Sequence, residues 1–283
     1  MKNEKIEESV FKALMVISNV VVLGSLALIL LTVLVKGFKA MSLDMFLTTP
    51  EGGYYLGQKG GILNAILGSL VLGLGASLLA FVFSLPLALY LNLYLKEKSR
   101  FAFLIRFFLD VLWGIPSIVY GAFGFTVMIL IGLRASLLAG IITVALVILP
   151  IMVRSMDEVL RTVTLELKEA SFALGSTRLE TAFKVIFRQF LPGIITAVLI
   201  AFGRGIGDAA SVLFTAGFTD SLPTSLFKPV ATLPLAIFFQ LGTPFPEVQQ
   251  RGYASALILT IIILAVSILT RLLTAKSSRH IIK

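Results

Sequence analysis

Residues 62–95 run for 34 amino acids without one charged side chain. A bilayer span needs about 20 consecutive, mostly apolar residues, so this stretch fixes the solvent before it says anything else about the fold. The pattern recurs. Residues 13–35, 135–153 and 252–270 carry no charge, 107–133 holds a single acid, Asp110, and 189–219 holds a single pair, Arg204 and Asp208. Across the chain only 14% of residues are charged, against about 25% in an ordinary soluble domain. The blocks predict an all-α integral membrane protein with one transmembrane domain over 1–283. Its six transmembrane helices fall at about 13–35, 62–93, 105–132, 135–154, 192–217 and 252–273.

The apolar run behind Lys2, Lys5 and Lys12 is too long for the core of a secretory signal and lacks a small-residue cleavage site before Lys36, so it reads as an uncleaved first helix. Cysteine is absent, which removes disulfides and thiolate metal sites, and no metal site is expected. The one histidine, His280, lies in a basic tail and reads as a solvated or membrane-surface residue. The net charge of +9 is distributed in a way that excludes nucleic acid as its reason. Seventeen of the 24 Lys and Arg residues fall before the first helix, between the second and third, between the fourth and fifth, and after the sixth. Cytoplasmic loops carry such an excess. Both termini and the 156–190 loop are therefore expected in the cytoplasm, and 219–251 outside.

That outer loop contains Pro223, Pro229, Pro234, Pro244 and Pro246. Within it, 231–241 is apolar yet too short to span; it either dips into the membrane shielded by protein or lies on the outer surface. On the second helix, Ala65, Ser69, Gly73 and Ser77 recur every four residues, a ridge that lets backbones approach closely, with internal packing favoured over a subunit contact. Pro116, in the sequence Trp-Gly-Ile-Pro-Ser at 113–117, should kink or locally end the third helix. Arg106 and Asp110, four apart, are expected to pair.

The 156–190 loop is patterned. Met156, Leu160, Val163, Leu167, Ala170 and Leu174 step by three and four along one amphipathic stripe, with Asp157, Glu158, Arg161, Glu166 and Lys168 on other faces. The stripe breaks at Gly175. Thr177-Arg178-Leu179-Glu180 then reads as a capping box that opens a short helix striped by Leu179, Phe183, Ile186 and Phe190. The fifth membrane helix is expected to begin at Leu191-Pro192. Such a helix–glycine–helix hairpin suits either a pair of helices lying on lipid or a docking element offered to another protein.

The run Glu169-Ala170-Ser171-Phe-Ala-Leu-Gly175 with the later Leu191-Pro192 resembles the EAA loop of ABC importer permeases, Ser171 replacing an alanine. Gly114-Ile-Pro-Ser-Ile-Val-Tyr-Gly121 is similar to the GVPSIVYG signature of phosphate importer permeases. Leu149-Pro-Ile-Met-Val-Arg154 and Arg204-Gly-Ile-Gly-Asp208 also match segments of that family, PstA-type above all. There the last motif ends in glutamate, one methylene longer. The resemblance implies a type I importer permease bundle, with Glu169, Ala170, Ser171, Gly175, Thr177, Arg178, Leu179 and Glu180 in the segment that docks on an ATPase. It implies a homologous PstC-type permease as heterodimer partner, two copies of a cytoplasmic ATP-binding subunit, and an extracytoplasmic phosphate-binding protein. No cofactor is implied for this chain, ATP and Mg belonging to the partner. The chain has no phosphate loop of the G-x-x-x-x-G-K-[ST] kind, and Gly203-Arg-Gly-Ile-Gly207 has no preceding strand to make a nucleotide loop.

Ionisable residues inside a span face the bundle interior or a wet cavity. Arg204 and Asp208, four apart, are expected on one face of the fifth helix. Either they pin helices as a self-neutralising pair, or Arg204 attracts an oxyanion through its fork of donors while Asp208 positions it or takes a proton. Gly203, Gly205 and Gly207 would clear room for another backbone or a passing ion. The function so expected is an ABC phosphate permease. The rivals are a permease for another oxyanion such as molybdate or sulfate, a proton-driven secondary transporter using Asp110 and Asp208, and a membrane scaffold.

Overall fold

The uncharged runs become long helices because lipid leaves backbone N–H and C=O groups no partner but their own helix. The computed structural model describes residues 2–51, 59–96 and 99–277. The basic tail with His280 lies outside them, as do Lys98, Arg279 and Lys283. Five described helices are long and apolar enough to cross a membrane. They are α1 (Lys2–Ala40), α3 (Leu63–Leu93), α6 (Leu137–Arg161), the continuous helical run from α8 (Arg178–Glu180) into α9 (Phe187–Ile206), and α11 (Pro246–Ser277). A sixth is counted only if the bent pair α4 (Arg100–Gly114) and α5 (Ser117–Leu130), which meet at 95°, is taken as one broken span. Pro116 sits at that corner with extended backbone and no N–H to carry a ladder onward. The remaining elements are short helices α2 (Leu43–Leu47), α7 (Leu165–Ala173) and α10 (Leu233–Leu241), and a two-stranded antiparallel ribbon pairing Pro50 with Gly60.

Helix α6 is the axis, packed on α3 and on α9 through Leu72, Ala76 and Ala80, Val144, Ile148 and Met152, Ile194 and Ala197, all buried. The small ridge of α3 does serve internal packing: Ala65, Ser69, Gly73 and Ser77 are all buried. The Ser69 hydroxyl accepts the Leu233 N–H at 2.7 Å, and a Cβ on Gly73 would stand 3.0 Å from the Phe202 ring. Helix α10 is not a surface helix. Leu235 is buried in the main core, and Leu233 and Ala236, with Ala65, Ala231, Ala254 and Ile258, join α3, α10 and α11 in a second apolar cluster. Helix α1 is exposed along nearly its whole length and meets the rest of the chain chiefly through α11. There a Cβ on Gly37 would lie 2.7 Å from that of Leu257, and the Lys36 ammonium donates to the Tyr253 hydroxyl at 3.1 Å.

Three boundaries differ from expectation. The helix carrying Pro192 starts at Arg178 rather than at 191–192 and passes through a widened π turn, Thr181–Ile186. Burial of Ile186, Phe190 and Ile194 against the core overrides the missing N–H of Pro192. The same helix stops at Ile206, not 217. Three glycines within five residues each cost a helix roughly 0.8–1 kcal/mol relative to alanine, and the chain beyond them turns back to serve α6. The Ser136, Leu137 and Leu138 N–H groups, otherwise orphans at a helix start, donate to the carbonyls of Thr215, Lys228 and Leu226. Finally, the stripe from Met156 to Leu174 is not one helix. Met156 and Leu160 end α6, buried, and the chain breaks before α7 begins at Leu165.

Candidate functional site

Two of the sequence motifs far apart in the chain meet in space. Asp208 follows the last turn of α9 and is buried, its side chain only 5% exposed. A carboxylate there faces the negative end of the helix dipole, so something else must hold it. The Ser117 hydroxyl, on the first residue of α5, donates to Asp208 Oδ1 at 2.9 Å. Close packing sets that contact: a Cβ on Gly121 would stand 2.9 Å from the carbonyl oxygens of Ala210 and Ser211. The broken helix thus leans its 114–121 signature directly on the segment after Asp208. Asp208 Oδ2 is buried without a hydrogen-bond partner among the described residues.

Arg204 is the outward member of the pair. Its side chain is 47% exposed and reaches Asp208 Oδ1 only at 3.4 Å, longer than the 2.7–2.9 Å of a strong charge-assisted bond. Most of its donors therefore point elsewhere. At 1.5 Å per residue, Arg204 lies about 26 Å along the helix from Phe187. Asp208 is beyond the helix end, so the pair is joined across the terminal turn and not along one continuous helix face as expected. The glycines divide their roles. Gly205 lets α9 close on α6, its Cβ position being 3.1 Å from Val144 and 3.2 Å from Ile148, while Gly207 and Gly203 turn toward Ile263 and Val266 of α11. Gly205 is closed off by α6, whereas a Cβ on Gly203 would meet nothing nearer than 4.0 Å.

The hairpin holds the other predicted set. Helix α7 ends in a Schellman turn: the Gly175 N–H donates to Phe172 O at 2.9 Å and the Ser176 N–H to Ser171 O at 3.2 Å, with Gly175 at φ +83° where an L side chain is strained. Thr177 and Glu180 form the reciprocal capping box read from the sequence. The Glu180 carboxylate accepts from the Thr177 backbone N–H and hydroxyl, each at 3.0 Å, and from the Lys184 ammonium at 2.9 Å. Ser171, where the family pattern has alanine, shares a buried 2.9 Å hydrogen bond with Thr181 and ties the two arms of the hairpin. Glu169 and Ala170 are exposed, and at the tip Leu174 is 87% exposed, with Leu179 and Phe183 also open. The Arg178 guanidinium stacks over Tyr94 at the end of α3.

Between hairpin and bundle lies a charge cluster that the sequence reading missed. Asp157, on α6, is fully buried. It accepts from Arg106 Nε at 2.8 Å and Nη2 at 2.9 Å, from Arg154 Nη1 at 3.1 Å and from Asn92 Nδ2 at 2.8 Å. Lys168 of α7 donates to the Asn92 carbonyl at 3.2 Å. The expected Arg106–Asp110 pair does not form. Arg106 turns inward to Asp157, and the half-exposed Asp110 takes Arg154 at 2.7 Å instead. The available signal was the spacing of Arg154 and Asp157, three apart on a helix whose neighbours Val153, Met156 and Leu160 are all apolar. Among the described residues no cluster of His, Cys, Asp or Glu is arranged to hold a metal.

Comparison with known proteins follows the same lines. A model of the family described as "Binding-protein-dependent transport system inner membrane component" matches residues 84–283. The Haemophilus influenzae protein named "Phosphate transport system permease protein PstA" is 34% identical over 261 residues, spanning 90% of this chain and 89% of that one. Its namesake from Yersinia pestis is 35% identical over 253 residues, 88% and 83% of the two chains. From Mycobacterium tuberculosis, "Phosphate transport system permease protein PstA 1" is 32% identical over 281 residues, 98% and 90%. Among solved structures, inward-facing conformations of the MetNI methionine ABC transporter superpose with a TM-score of 0.61 at 18% identity, over 76% of this chain and 95% of that chain. The last likeness concerns the fold.

Proposed function

We propose that this chain, which belongs to the binding-protein-dependent transport system inner-membrane components, is the phosphate-conducting permease subunit of an ATP-driven importer. The observation that carries the reading is Arg204: a guanidinium deep along a membrane helix, half-exposed and only loosely held by its own aspartate. Phosphate is a tetrahedral oxyanion, and a planar fork of donors suits it. Asp208, buried and fixed by Ser117, keeps the guanidinium from swinging away and keeps its positive charge from binding the anion too tightly, since a conducting site must also release. The names of the relatives support phosphate over molybdate or sulfate, and kinship with transport components speaks against a proton-driven transporter or a scaffold.

In this reading the chain lines half of the translocation pathway beside a homologous PstC-type permease. The Gly175 hairpin and both termini lie in the cytoplasm, and the exposed Leu174, Leu179 and Phe183 seat in one of two copies of a separate ATPase, which alone uses ATP and Mg. The proline-rich 219–251 segment faces an extracytoplasmic phosphate-binding protein. The test is uptake of labelled phosphate by the assembled complex, with molybdate and sulfate as competitors. Arg204→Ala should abolish uptake, and Arg204→Lys, a point charge without the fork, should recover little of it. Parental uptake by both variants at normal assembly refutes the pathway role, and equal competition by molybdate refutes the substrate.

A further inference from the structure

Beside the charge cluster, at the end of the bundle that carries the Gly175 hairpin, lies a cavity of about 440 Å³. That is within the roughly 300–1,000 Å³ typical of small-molecule sites. Its wall brings together Lys96 beyond α3, Arg106 of α4, Arg161 at the end of α6 and Lys168 of α7, with Glu169 the one acid among the lining residues. Arg106 is neutralised by Asp157 and Lys168 rests on the Asn92 carbonyl. Lys96 and Arg161 have no ion-pair partner among the described residues. The cavity shares no residue with the Arg204 site.

Lys96 and Arg161, with no ion-pair partner among the described residues, face a single lining acid across this concave site, and a concave low-dielectric wall concentrates the positive field they leave. We propose that this cavity binds a phosphate-bearing anion, held by Lys96 and Arg161 with Lys168 as the third contact. The group is a phosphate ester of an anionic lipid or free orthophosphate; both present the same oxygens to the same donors. Bound there, it bridges α3, α6 and α7 and fastens the base of the hairpin to the bundle. If the chain is the permease of an ATP-driven importer, as read above, occupancy then restrains the element that the ATPase moves.

A thiol on the cavity wall reports occupancy without any transport step. The chain has no cysteine, so Phe172→Cys, at the cavity rim, gives its one labelling position, followed by mass spectrometry of this chain within the assembled complex. A neutral thiol reagent is applied in two arms: zwitterionic nanodiscs with increasing orthophosphate, and nanodiscs containing phosphatidylglycerol without orthophosphate. Ligand at ten times its Kd should slow labelling about tenfold. Slowing in the first arm alone identifies free phosphate, in the second alone the lipid headgroup, and in both a site open to either. In each case Lys96→Gln with Arg161→Gln should abolish the protection. The proposal is overturned if neither arm slows labelling, if chloride at equal ionic strength does the same, if the double variant is still protected, or if the thiol is unreactive with no anion present. Uptake by the Phe172→Cys complex is measured separately, so failure of the transport reading leaves this result standing.

Discussion

Replacing Asp157 by asparagine keeps the size of the side chain and removes its charge, which isolates what the buried carboxylate does. In the native structure it satisfies two guanidinium donors of Arg106, one of Arg154 and the amide of Asn92, all within 3.1 Å. An asparagine keeps one acceptor oxygen and turns an NH2 toward groups that are themselves donors. Two or three charge-assisted bonds, each contributing about 1.5–3 kcal/mol, are lost or reversed, and Arg106, only slightly exposed, loses the buried carboxylate it is paired with. Breaking a buried pair from one side costs about 3–5 kcal/mol, whereas replacing both members with apolar residues is often neutral. Asp157→Asn should therefore destabilise by about 3–5 kcal/mol. The pair Arg106→Met with Asp157→Leu should recover most of this, because Arg154 keeps Asp110. The assay is unfolding by SDS titration in mixed micelles, run as a double-mutant cycle. If Asp157→Asn lies within about 0.5 kcal/mol of the parent, the effect of an ordinary surface substitution, the cluster does not hold the hairpin end together and the reasoning fails.

Ser171→Ala should loosen the two arms of the hairpin by about 1 kcal/mol, because Thr181 loses a buried partner; hydrogen exchange across residues 165–181 reads it, and unchanged exchange refutes it. Glu180 accepts from the Thr177 N–H and pairs with Lys184, so Glu180→Ala should weaken the start of α8. Exchange of the Thr177 amide at fixed pH should accelerate in that variant, and unchanged exchange refutes it. Gly203→Ala should stabilise by up to about 1 kcal/mol, since the nearest atom to its added methyl is 4.0 Å away and alanine favours helix; uptake near the parental rate would show that its open space is not needed for passage, and a collapse of uptake would place Gly203 in the pathway. Gly68→Ala should destabilise by about 1–3 kcal/mol, because its methyl would collide with the Ala231 carbonyl, and a parental SDS midpoint would contradict that packing.

Composition made most of this architecture legible. A run such as 62–95 has one stable form in lipid, and a Gly-x-Thr-x-x-Glu sequence at 175–180 has turn and cap chemistry local enough to read directly. Where the reading slipped, tertiary contacts decided. Arg106 had two carboxylates within reach, and only the packing of α4 on α6 shows that the buried one takes it. Pro192 reads as a helix start until burial of Phe190 and Ile194 is known. Asp208 reads as part of a helix until the chain beyond Gly207 is seen capping α6. The meeting of Ser117 with Asp208 joins residues 91 positions apart; each lay in a motif recognised by resemblance, but nothing local in either says that they touch.

Helix α1 has a consequence for how the molecule is made. The Lys36–Tyr253 contact that docks it joins residues 217 positions apart. At ribosomal rates of about 5–20 residues per second, the first helix waits about 10–40 seconds for its partner to be synthesised. Until then it is solvated by lipid alone and can diffuse as far as its tether allows. Assembly order is thus written into the topology: the bundle of α3, α6 and α9 can close first, and the arrival of α11 recruits α1 last. A ribosome stalled before Tyr253 should leave a closed bundle with a loose first helix, exposed to whatever membrane quality control patrols for unpaired spans.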